Sequence, residues 1–227
     1  MRPTVSRRHP FRCVLLLVLA GLWAAGALSC RADPAAGEEF RLVLLGPPGA
    51  GKSTTGAQLQ ERLGVPHISI GDMFRAEKES GSNLGKKLAA IMERGDLVDD
   101  WTVFAVLFKR LAKPDALQGF ILDGFPRTIA QARRFDEHLR AEGRGLTAAV
   151  SLQVSFAELA RRLAARGRAD DTGEAIRRRH LVFLAEVRPI ERFYREQGLL
   201  RTIAAEGRTP EQVLEDVLAV VRAAARP

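Results

Sequence analysis

Apolar and polar positions follow two periods along this chain, and from Phe40 onward segments of the two kinds take turns. Short apolar runs at Phe40–Leu45, His67–Ile70, Gly119–Leu122, Ala148–Val154 and Leu199–Ala204 have the length and composition of strands covered on both faces. Between them, Gly51–Leu63, Trp101–Leu111, Thr128–Glu142 and Glu174–Gln197 show the three-to-four-residue spacing of amphipathic helices. Three helix starts carry a reciprocal cap pattern: Ser155 with Glu158, Asp171 with Glu174, and Thr209 with Gln212, the last with Pro210 in the first helical position. These caps are read as structural. Strands alternating with helices predict an α/β fold, a parallel sheet with helices on both faces.

The first 32 residues do not share this pattern. Arg2, Arg7, Arg8 and Arg12 precede an uncharged apolar segment, Cys13 to Leu28, which ends in Ser29-Cys30-Arg31. A basic, then apolar, then small order is that of a leader, and the segment is shorter than the roughly 20 apolar residues of a spanning helix. Ala27-Leu28-Ser29-Cys30 is an imperfect lipid-attachment box, and Ser6-Arg7-Arg8 resembles a twin-arginine start with Phe11 displaced by one residue. A secretory signal, a lipoprotein leader, an organellar presequence and a start codon assigned too far upstream all remain open. Residues 33–38 read as a linker to the domain spanning residues 39–227.

The most specific local pattern is Gly46-Pro47-Pro48-Gly49-Ala50-Gly51-Lys52-Ser53, which fits G-x-x-x-x-G-K-[ST] between a strand run and a helix run. Glycines let backbone N–H groups converge on phosphate oxygens, the helix N-terminus adds a positive field, and Lys52 supplies a mobile cation. With Thr54 following, Gly49 to Thr54 form the expected ATP cradle, and Ser53 is a candidate oxygen ligand for Mg²⁺. The fold this implies is the three-layer P-loop NTPase arrangement on a five-stranded parallel sheet. Export suits an ATP-consuming enzyme poorly, which places the catalytic domain in the cytoplasm. The alternatives are an exported, lipid-anchored or organellar protein held through residues 1–30.

Composition then removes other classes. The net charge is +8, but the five leader arginines account for five of those charges and leave +3 for the body. Such a body needs no nucleic acid to explain it, because it handles anionic phosphates and no basic-aromatic stacking pattern accompanies its arginines. Both cysteines, Cys13 and Cys30, lie in the leader, so the body has no disulfide, thiol nucleophile or cysteine metal site.

Further segments follow in a fixed order. They are Ile68-Ser69-Ile70-Gly71-Asp72-Met73-Phe74-Arg75, Gly95-Asp96-Leu97-Val98, and Asp123-Gly124-Phe125-Pro126-Arg127 with Gln131 four residues on. Together with the P-loop they resemble the adenylate kinase family, whose patterns are I-S-T-G-D-x-x-R, G-x-L-V and D-G-F-P-R-x-x-x-Q. Arg166-Gly167-Arg168-Ala169-Asp170-Asp171-Thr172, followed by Ile176-Arg177-Arg178-Arg179, resembles the family's lid in its short form. The body offers no cysteine, and no paired histidine stands there, so a zinc-binding lid is excluded.

The resemblance implies reversible, Mg²⁺-dependent phosphoryl transfer from ATP to AMP by a monomer, with an acceptor-binding segment at 69–98 and a lid at 165–173. Arg75 and Arg127 would clamp the acceptor phosphate, as guanidinium forks suit phosphate oxygens. Gln131 and the backbone near Asp96, Leu97 and Val98 would hold the acceptor base, with Ile70, Gly124, Phe125 and Pro126 also around the acceptor nucleotide. Lys52, Arg127, Arg168, Arg179 and Asp123 would form the catalytic set, Asp123 organising magnesium through water. Arg166 and Gly207 would reach the donor nucleotide, while Arg177 and Arg178 read as a solvated helix face. No His-Arg-Asp catalytic loop is present, and the four histidines stand at unrelated positions.

Three departures from the family leave choices open. Ile70 replaces a threonine that helps recognise adenine, Ser53 stands where the family usually has glycine, and Trp101 replaces an acidic residue, with packing the expected consequence. A kinase for UMP or CMP and a non-catalytic nucleotide-binding module tethered by its leader are the alternatives.

Overall fold

The chain divides into two units, Met1–Ala32 and Asp33–Pro227. The computed structural model describes residues 39–167 and 172–225, all in the second unit, with Arg166 described through its backbone alone. The proposed leader and linker lie outside the described residues.

Five strands form one parallel sheet: β1 (Arg41–Leu45), β2 (His67–Ser69), β3 (Phe120–Asp123), β4 (Ala148–Gln153) and β5 (Leu200–Ala204). Their order across the sheet is β2-β3-β1-β4-β5. All five fall within a residue or two of the expected runs. The reason lies in the two-faced burial of β1: Leu42 and Leu44 pack into one core layer with Leu59, Val150 and Val217, whereas Val43 and Leu45 pack into the other with Phe104, Leu122 and Phe135. Strands buried on both faces carry nearly continuous apolar runs, and such runs are what the sequence shows.

Helices α1 (Lys52–Leu63), α4 (Asp100–Leu111), α5 (Ile129–Ala141) and α7 (Gly173–Glu196) match the four amphipathic segments. Helices α6 (Phe156–Arg166) and α8 (Pro210–Ala225) follow the Ser155 and Thr209 caps. At α8 both arms of the cap form, with Thr209 N–H donating to Gln212 Oε1 at 3.0 Å and Gln212 N–H to Thr209 Oγ1 at 3.3 Å. At α6 one arm is exchanged. Glu158 N–H donates to Ser155 Oγ, but Ser155 N–H and Oγ–H both donate to Glu206, which frees the Glu158 carboxylate for arginines. The expected cap at Asp171 lies outside the described residues, and Thr172 caps α7, accepting from Ala175 N–H at 3.2 Å.

Two helices were not expected from periodicity, α2 (Ile70–Glu79) and α3 (Asn83–Arg94), which make up most of residues 69–98, the expected acceptor-binding segment. Strand β2 accordingly stops at Ser69, because the Ser69 side chain caps α2 by accepting from Asp72 N–H and so places Ile70 in the helix. Among the described residues, no helix is long and apolar enough to cross a membrane.

Candidate active site

The carboxyl end of β1 runs directly into the phosphate loop, and α1 begins at its lysine. Gly46 adopts φ +146°, and a Cβ placed on it would sit 2.9 Å from the Leu152 carbonyl oxygen of β4. The loop can therefore lie flat against the sheet only with glycine there. Lys52 Nζ folds over the loop and donates to the carbonyls of Gly46 at 2.7 Å and Pro47 at 2.9 Å. The ammonium is thus held against the loop, at the edge of the cavity that the loop lines.

Asp123 ends β3, in register with Leu44 of β1 and Ser69 of β2, which sets it beside the loop. Ser53 Oγ donates to Asp123 Oδ2 at 2.6 Å, and His67 Nε2 lies 3.7 Å from the same oxygen. Burial raises the Asp123 pKa, but His67, the Lys52 charge and the Ser53 hydrogen bond overcome that effect and hold it at about 2. The group is an anion at neutral pH. The Ser53 hydroxyl and Asp123 carboxylate are hard oxygen donors, which fit Mg²⁺ that arrives with most of its ligands supplied by phosphate and water.

Three arginines approach this pair from different elements. Arg75 extends from α2 and is held by Asp72, with Nε donating to Oδ1 at 3.1 Å. Arg127 follows β3 and donates from Nε to the Gly124 carbonyl at 2.9 Å. Arg179 rises from α7 and donates from Nε to the Ala175 carbonyl at 3.2 Å. Crowding by surrounding protein lowers the Arg127 pKa, Asp123 raises it, and Arg179 and Arg75 lower it again. Its surface still opens onto the cavity. Like charges brought together in a cleft mark a place built for an anion.

Lys52, Ser53, Arg75, Asp123, Arg127 and Arg179 line one cavity of about 790 Å³, together with Gly49, Ala50, Gly51, Thr54, Gly124, Phe125, Pro126 and Gly207. A smaller cavity of about 20 Å³ adjoins it, lined by Ile70, Leu97, Val98 and Gln131 along with Phe74, Val103, Gly124 and Arg127. Most of the acceptor residues expected from sequence therefore meet at one spot. Gln131 is buried there, donating from Nε2 to Asp100 Oδ1 and accepting from Arg127 N–H, each at 2.7 Å.

Other expected residues stand apart from the two cavities. The Asp96 side chain lines neither, and its carboxylate accepts from Arg94 at 2.9 Å and Arg178 at 2.5 Å. Arg178, read as a solvated helix face, is one of those partners. Trp101 is 75% exposed and lines neither cavity, so its expected effect on packing is absent. Arg168 and the Arg166 side chain lie outside the described residues. The sequence reading also missed Arg161, Arg162 and Phe183, which line the large cavity. Arg162 donates to Glu158 at 2.6 Å and to the Ala205 carbonyl at 3.1 Å. Glu158 and Arg162 stand four residues apart on α6, a spacing that signals a pair but not a pocket.

A phosphate loop after β1, an ionised carboxylate beside it and arginines closing on the same space define a P-loop phosphotransferase of the nucleotide kinase class. The sequence model of adenylate kinase matches residues 44–199. An adenylate kinase from Stenotrophomonas maltophilia is 44% identical over 188 residues, covering 81% of this chain and 100% of that protein. One from Mycolicibacterium paratuberculosis is 46% identical over 172 residues, covering 76% and 94%. One from Thermobifida fusca is 46% identical over 172 residues, covering 74% and 91%. The chain belongs to the adenylate kinase family.

Proposed function

We propose that this protein transfers the terminal phosphoryl group of ATP reversibly to AMP, giving two ADP, with Mg²⁺ accompanying ATP. The observation that carries this reading is the convergence of Lys52, Arg75, Arg127 and Arg179 on one cavity that borders a second, smaller one.

An AMP phosphate is already an anion, so the reaction needs no general base to make a nucleophile. Rate comes from holding two phosphates in line and spreading their charge over fixed cations. Lys52 serves the donor phosphates, Arg75 and Arg127 the acceptor phosphate, and Arg179 the group in transit, with Arg168 joining from the lid. Mg²⁺, held through phosphate oxygens near Ser53 and Asp123, would neutralise part of the donor charge. Arg166 and Gly207 serve the donor nucleotide, and Ile70, Leu97, Val98 and Gln131 enclose the acceptor base. Leu163, Val182 and Phe183 line the large cavity and limit water around the phosphates.

On the same reading, residues 39–227 form the catalytic domain, acting as a monomer in the cytoplasm where ATP is plentiful, and residues 1–32 are a leader. The test is transfer from Mg·ATP by the whole chain with AMP, CMP, UMP, GMP and dAMP offered separately. AMP is expected to be preferred. Faster transfer to UMP or CMP would assign Ile70 a different acceptor, and transfer to none would contradict the reading.

A further inference from the structure

The acceptor-binding segment touches α7 just where that helix presents its phosphate-facing arginine. Helix α3 ends at Gly95, which adopts φ +73°, and Asp96 N–H completes the turn by donating to the Ile91 carbonyl at 3.1 Å. Gly95 is buried, and a Cβ on it would sit 3.0 Å from the Ala175 carbonyl and 3.3 Å from Arg179 Cγ. Its backbone therefore rests on the first turns of α7, an approach that any side chain would hinder. The next residue, Asp96, accepts from Arg178 Nε at 2.5 Å across 82 positions of sequence. Leu97 and Val98, directly after, wall the small cavity, and Arg179, directly after Arg178, lines the large one.

We infer that Arg178 and Asp96 are a positioning pair which pins the acceptor-binding segment to α7, holding the acceptor pocket in line with Arg179. Neither side chain lines either cavity, so neither touches a nucleotide directly. Among the described residues, the glycine seat and the Arg178–Asp96 ion pair both join the two elements. The seat permits close approach; the pair favours the approached arrangement over a separated one. Arg94 also bonds Asp96, but it belongs to the acceptor segment itself and fixes nothing across the junction. Asp96 is held below the usual carboxylate range by its bonds to Arg94 and Arg178, in keeping with an ionised partner.

The inference rests on AMP being the acceptor, and the test separates the two claims. The full chain and the variants Arg178→Ala, Asp96→Asn and their double are compared by KM for AMP, KM for ATP and kcat. An exposed ion pair that biases closure predicts a rise of about threefold in KM for AMP in each single variant, with little change in KM for ATP. The double variant should rise no further than either single one, where independent effects would multiply to about ninefold. At 1 M salt the ratio of variant to wild type should fall toward one. Arg94→Ala is the control for a local effect and should leave KM for AMP unchanged. Multiplying effects in the double variant, or an Arg94→Ala effect equal to that of Arg178→Ala, would overturn the pair. No transfer to AMP by the unaltered chain would instead overturn the acceptor assignment, and the inference with it.

Discussion

Ser53 Oγ donates a 2.6 Å hydrogen bond to Asp123 Oδ2, joining the first turn of α1 to the last residue of β3. The contact places the two oxygen donors of the phosphate end side by side, although 70 positions separate them in the chain. It also explains how the family's usual glycine can be replaced here: the hydroxyl is not spare volume, since it satisfies a buried carboxylate. Losing such a partner leaves the remaining group unsatisfied.

The first prediction concerns acid stability. The Asp123 pKa lies at about 2 against an ordinary 3.8, so its contribution is complete above the unfolded value and is lost as pH falls from 3.8 through 2. By the shift, the contribution is about 2 kcal/mol. Urea unfolding of Asp123→Asn between pH 7 and pH 2 should show a shallower loss of stability than wild type over that window. Parallel curves would contradict it.

A second prediction separates Lys52 from the fold. Its ammonium contacts the carbonyls of Gly46 and Pro47, which belong to the loop it follows. Lys52→Ala should lower kcat by about 100-fold or more, as loss of one preorganised charge at a transferring group does. The circular dichroism spectrum and melting temperature should change little. A collapse of both would make the lysine structural instead.

The third follows from crowded cations. Arg127 is depressed by burial and by Arg179 and Arg75, so an anion placed among them relieves repulsion and stabilises the folded state. Inorganic phosphate should raise the melting temperature of wild type, and Arg127→Gln should remove most of that rise. An equal rise in the variant would show that phosphate binds elsewhere.

Gln131 carries the fourth. Both ends of its buried amide are engaged, with Asp100 and with the Arg127 backbone, so Gln131→Met leaves the partners in two part-buried bonds unpaired at a cost of about 1 kcal/mol. The same variant should raise KM for AMP without raising KM for ATP. Equal changes in both would remove Gln131 from the acceptor pocket.

Much of this was legible in the sequence because strong local patterns carried it. The sheet could be read from β1, where four of five residues are apolar and all five are buried. The phosphate loop could be read from glycine spacing and its strand-to-helix setting. Helices α2 and α3 were not legible, since α2 begins inside an apparent strand run whose Ser69 turns out to be a cap. The pairing of the Asp96 side chain was not legible for a different reason. Sequence order puts Asp96 between cavity-lining neighbours, but the left-handed turn at Gly95 directs its side chain to Arg178. Only the folded chain brings residues 96 and 178 together, and no local pattern encodes that pairing.

The central claim is tested most directly by running the reaction backward. The whole chain is incubated with ADP and Mg²⁺ alone, and ATP, AMP and inorganic phosphate are quantified over time. Two ADP should yield ATP and AMP in equal amounts, with no phosphate released, and Lys52→Ala should abolish the conversion. Release of phosphate with AMP and no ATP, or no conversion at all, would contradict a phosphoryl transferase acting between two nucleotides.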